Sequence, residues 1–205
     1  MALSWCGSVG AEFPAMSNIA SKTTPRRTPA PGSAPDGGHR RLHIAQAVGL
    51  KPYGPRPDVR RLKSHLLAAI TQLGVSLEDL TIIIVNDEKM SDLHLRYTGV
   101  EGTTDALTFD LSDEPPLPLG EGRGEGTTAR GARLLEGEIY ICHDEALRQA
   151  AARGHDVQHE LLLYALHGVL HLMGYDDHEP ADHKAMHAEE DRVLQAIGVG
   201  RVFRK

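Results

Sequence analysis

The chain has little cysteine, no long apolar run and no excess of positive charge. Cys6 and Cys142 are the only cysteines in 205 residues, which excludes a disulfide framework and fits a reducing cytoplasm. No apolar stretch approaches the roughly 18 residues of a membrane span. The first residues, MALSWCGSVGAEF, carry neither a basic region nor a long apolar segment, so no secretory signal is read there. A net charge of −6 argues against non-specific binding of nucleic acid over the whole surface, while leaving room for a local basic groove.

What is present suffices for one domain with extensions, since 40% of the residues are hydrophobic. Residues 1–40 are rich in Ser, Thr, Pro, Gly and Ala. They bury too little apolar surface to offset their ordering entropy, and are expected to be a disordered N-terminal extension. The domain is expected over residues 41–200, interrupted at 112–135 by a Pro- and Gly-rich insertion without periodicity, expected to be a flexible loop.

Within that domain the pattern alternates. A first strand is expected in the run from Leu42, then a helix with Asp58 as N-cap and Gly74 as its stop. Leu80–Val85, LTIIIV, reads as a strand buried on both faces. A helix follows from Asn86 to Gly99, a strand at Thr104–Leu111, a strand at Gly137–Cys142, and a helix from His143. A further helix starts near Asp156, and a closing one has Pro180 in its first turn and Met186, Val193, Leu194 and Ile197 along its apolar stripe. Interleaved strands and helices imply a sheet covered by helices, α/β or α+β.

The chemistry concentrates in Leu161–His178, LLLYALHGVLHLMGYDDH. His167 and His171 stand at i and i+4 in an apolar run of helical spacing, so both imidazoles can reach one metal ion. Gly174 suits a left-handed stop that turns the chain back toward them. A third ligand from that turn would make the open three-ligand site of catalytic zinc. Two further i, i+4 pairs flank the motif, His155 with His159 and His183 with His187; both are read as residues of helix surfaces.

The residues HGVLHLMGYDDH, preceded by YTGVEGTTDALTFDL and GEIYIC, resemble the bacterial YbeY family of zinc-dependent, single-strand-specific endoribonucleases that mature ribosomal RNA. The resemblance runs from about Leu42 to Ile197. It implies an α+β fold with a mixed four-stranded sheet packed with helices, and one zinc ion held on a central helix and the turn after it. It also implies maturation of the 16S rRNA 3′ end and ribosome quality control, with single-stranded RNA, a ribosomal particle and ribosome-associated proteins as partners.

By that likeness the metal ligands are His167, His171 and His178. The family spacing ends GYDH, whereas this chain reads GYDDH, so Asp177 occupies the strict position and is the rival ligand. Thr98 stands where family members often carry arginine, and Arg96 is read as a solvated helix residue.

Two other functions compete. A zinc peptidase of the HExxH kind needs glutamate after the first histidine, and here that residue is Gly168. A non-catalytic assembly factor with structural zinc would show a fourth protein ligand.

Overall fold

The computed structural model describes residues 41–46, 50, 54–112 and 134–200. The expected extension at 1–40 and the interior of the expected insertion lie outside the described residues. Four strands and five helices follow in the order β1 (Arg41–Gln46), α1 (Val59–Leu73), β2 (Ser76–Val85), α2 (Asp87–Thr98), β3 (Ala106–Asp110), β4 (Leu134–Cys142), α3 (His143–Arg153), α4 (Val157–Leu172) and α5 (Pro180–Ala196). The sheet order is β1-β2-β4-β3, with β1 and β4 parallel to β2 and β3 antiparallel to β4. This is an α+β architecture on one mixed sheet.

Helix boundaries follow local backbone chemistry. Asp58, Asn86 and Asp156 each accept a backbone N–H from the first turn of α1, α2 and α4. Gly74, Gly99 and Gly154 close α1, α2 and α3 in the left-handed region. Two strands begin earlier than their hydrophobic pattern suggests. β2 starts at Ser76, its register with β4 shifting between Leu77 and Asp79, and β4 starts at Leu134, which places the last two residues of the expected loop in the sheet.

The two faces of the sheet are covered unequally. On one, Leu80, Ile82, Ile84, Ile139 and Ile141 join the buried residues of α1, α4 and α5 in the main core. On the other, Val85, Leu107, Phe109 and Cys142 form a smaller cluster with Met90 and Leu93 of α2. Thr81 and Ile83 are therefore only half-buried, and the run Leu80–Val85 is not enclosed on both faces as its composition suggests. Among the described residues, the short helix α2 does not span that side.

Helix α4 lies at the centre. Every residue of it except His159 is buried, which suits a helix that is apolar nearly all round. It packs against β3, β4, α1, α3 and α5. The close approach to the sheet depends on Gly168: a Cβ there would lie 2.6 Å from Ile139 Cγ2 and 2.9 Å from Thr108 Oγ1. Gly168→Ala gains helix propensity but overfills this contact. The expected outcome is a net loss of roughly 1–3 kcal/mol in urea unfolding.

Candidate metal centre

His167 and His171 occupy the last turns of α4, with only 6% and 8% of their surface exposed. Their rings meet edge to face, centroids 4.6 Å apart at 89°, and their Nε2 atoms are 3.1 Å apart. Each Nδ1 is engaged behind the ring. His167 Nδ1 donates to Glu190 Oε1 at 2.8 Å, and His171 Nδ1 donates to the Tyr175 carbonyl at 3.0 Å.

Those acceptors settle the tautomers. A carbonyl can only accept, and Glu190 is held below the usual carboxylate range: burial alone would raise it, but the bonds from His167 and His187 outweigh burial. Both Nδ1 atoms therefore carry a hydrogen, and the two Nε2 atoms, 3.1 Å apart, are the nitrogens left facing each other. Burial first, and the neighbouring His167 second, push the His171 imidazole down to about 4. Two imidazoles held from behind, with their Nε2 atoms converging on one point, are organised for a cation between them.

The third donor comes from the turn. Gly174, at φ 88°, donates its N–H to the His171 carbonyl, and Tyr175 donates to the Leu170 carbonyl, the paired bonds of a Schellman stop. Asp176 then caps the next backbone N–H groups, accepting from Asp177 N at 2.7 Å and His178 N at 3.2 Å. This directs the Asp177 carboxylate back to the helix, 3.8 Å from His167 Nε2 and 3.9 Å from His171 Nε2. Donor atoms of His167, His171 and Asp177 all lie within 4.8 Å of one another.

His178, expected as the third ligand, stands elsewhere. Its Nδ1 bonds to Asp176, its side chain is 45% exposed, and the Asp176 partnership raises its pKa. It also lies near Asp176 and Asp177 in a second, more exposed group that shares Asp177 with the first. With one residue more than GYDH, the turn brings Asp177 rather than His178 beside the two histidines.

Sequence reading missed Glu190. It is fully buried among Met186, Val193 and Leu194 on the packed face of α5, and its carboxylate links His167 to His187, whose Nδ1 lies 2.6 Å from Oε2. An acid filling a gap in an apolar stripe was the available signal. Of the remaining candidates, Thr98 bonds to the His94 carbonyl at the end of α2, and Arg96 faces Asp92. His155 turns to Glu160 rather than to His159.

The fold and site define a class: a small α+β protein with two histidines on a buried central helix and a carboxylate returned to them by a glycine turn. The model of the family described as Endoribonuclease YbeY matches residues 56–198, and the chain belongs to that family. A curated relative named Endoribonuclease YbeY from Mycobacterium ulcerans is 39% identical over 117 residues, covering 57% of this chain and 62% of that protein. One from Corynebacterium diphtheriae is 43% identical over 115 residues, 56% of each. The matched region thus spans less than two thirds of these relatives. The solution structure of TM1509 from Thermotoga maritima aligns with a TM-score of 0.44 and 22% identity, covering 76% of this chain and 88% of that one. No helix among the described residues is long and apolar enough to cross a membrane.

Proposed function

We propose that this protein is a metal-dependent endoribonuclease of single-stranded RNA, holding one zinc ion through His167, His171 and Asp177 and acting in the cytoplasm on ribosomal RNA, at the 3′ end of 16S rRNA, and in ribosome quality control. The observation that carries the reading is the pair of Nε2 atoms facing one another 3.1 Å apart, each ring fixed by an acceptor at its Nδ1. Family membership supports the choice of RNA. Two imidazoles and a carboxylate suit zinc and leave a coordination position open.

When bound, the ion supplies Lewis acidity and positive charge against the scissile phosphate. The chain's own contribution is placement. Glu190 and the Tyr175 carbonyl hold the two rings, and Asp177 adds a carboxylate beside them. RNA brings a 2′-hydroxyl as a nucleophile, so phosphodiester cleavage does not need a glutamate beside the first histidine. Peptide hydrolysis of the HExxH kind does, and the crowding at Gly168 leaves no room for one. Loss of a general base lowers such a reaction by roughly 10² to 10⁴-fold. Structural zinc is disfavoured as well, because among the described residues the group has three donors where a closed site takes four.

The third ligand is tested by measuring zinc per chain and cleavage of a labelled single-stranded RNA for Asp177→Ala and His178→Ala. Asp177→Ala is expected to lose zinc and activity together, with His178→Ala close to the parent. The reverse order would assign the position to His178.

Several basic side chains among the described residues are already paired, and the chain as a whole is acidic, with a net charge of −6. Arg61 pairs with Asp156, Arg96 with Asp92, and Arg148 with Asp87 and Glu145. Isolated RNA is therefore expected to bind weakly, with the ribosomal particle or its proteins supplying most of the docking. Tight binding of free RNA that persists in high salt would contradict this.

A further inference from the structure

Helix α5 carries a second histidine pair to which the proposed reaction gives no part. His183 and His187 lie one turn apart, their Nε2 atoms 2.9 Å from each other. The rings stand edge to face at 86° with centroids 4.1 Å apart, the disposition of His167 and His171 on α4. The pair His155 and His159 has the same spacing but sits 6.2 Å apart and tilted, so i, i+4 spacing alone does not produce the arrangement.

A second observation singles the pair out. Glu190, fully buried, accepts from His187 Nδ1 at 2.6 Å through Oε2 and from His167 Nδ1 at 2.8 Å through Oε1. One carboxylate thus holds Nδ1 of one histidine in each pair and turns its Nε2 toward its neighbour. A carboxylate behind Nδ1 is the usual support of a metal-ligating imidazole. His183 is exposed and His187 half-buried, which leaves the far side of the pair open to water or to an oxygen of a ligand.

We propose that His183 and His187 form a second binding site, open to solvent, for a divalent transition ion that favours imidazole, separate from the group of His167, His171 and Asp177. Without an ion, His183 Nε2–H donates to His187 and serves the same short contact. With one, both rings give their lone pairs to the metal, and the remaining positions stay exchangeable. Only two protein donors take part, so this site is the weaker of the two. Its preference follows the imidazole series, copper above nickel and zinc, with magnesium and calcium excluded because they require oxygen ligands.

The inference is independent of the reaction proposed above, and the test separates them. The full chain, stripped of metal, is titrated with cobalt(II) while its visible absorption is followed, and bound zinc is counted after equilibrium dialysis. The parent is expected to bind two ions of unequal affinity. His183→Ala, a change at an exposed position, is expected to lose the weaker ion and keep the tighter; His171→Ala is expected to do the opposite. An unchanged ion count and cobalt spectrum in His183→Ala overturns the second site whatever happens in His171→Ala. Retention of the tighter ion in His171→Ala, with the weaker lost in His183→Ala, overturns the first site and leaves the second standing. Circular dichroism and thermal melting of each variant establish that its fold is intact.

Discussion

His171→Ala is expected to lose the tightly bound ion and to lower cleavage of single-stranded RNA on the order of 10³-fold, the several kcal/mol a catalytic metal supplies at 1.36 kcal/mol per tenfold. The ring is nearly enclosed and its two nitrogens are both committed, Nδ1 to the Tyr175 carbonyl and Nε2 toward His167. Removing it leaves one imidazole and one carboxylate, two donors where the tight site has three, so the ion is held far more weakly. The fold is expected to survive, because the Gly174 stop is held by backbone bonds that do not use the side chain. Metal analysis beside a cleavage assay and a melting curve checks all three parts. Full activity without metal would overturn the metal-dependent reading.

Glu190→Ala is expected to be the more damaging change to the protein as a whole. The carboxylate touches no substrate in this reading, yet it orients His167 from behind. Its loss strands the Nδ1–H of His167 in the interior and takes a partner from His187, and each buried donor left unsatisfied costs about 1–3 kcal/mol. Zinc affinity should also fall by roughly 10 to 100-fold, the usual effect of removing a carboxylate behind a ligating histidine. Glu190→Gln separates the two consequences. Its shape is kept and its amide oxygen still accepts one N–H, so stability should return toward the parent while zinc binding stays weakened. Equal zinc affinity in parent and Glu190→Gln would show that the charge has no part in the site.

The local signals were legible because they concern a few adjacent residues. Asp58, Asn86 and Asp156 cap helices by bonding to backbone within the next turn, and Gly74 and Gly99 end them by a conformation other residues resist. The pairing of His167 with His171 follows from helix geometry alone. The early starts of β2 and β4 were not legible, since Glu78 and Asp79 interrupt the apolar pattern of the first and Leu134 follows a Gly-rich stretch. Those residues join the sheet because a neighbouring strand offers ladder bonds, which is a property of the partner.

The sequence by itself determined the order of helices and strands, the two histidines on one face of α4, the glycine that turns the chain behind them and the family to which the chain belongs. Only the tertiary structure decided which residue of GYDDH faces the histidines. One inserted residue rotates side chains in a turn, and whether it is absorbed depends on the capping bonds of Asp176. Only the packing of α5 against α4 brought Glu190 behind His167, across 23 residues of sequence. A carboxylate is driven into an apolar interior when charged or polar hydrogen-bond partners await it there, and those partners lie on another helix.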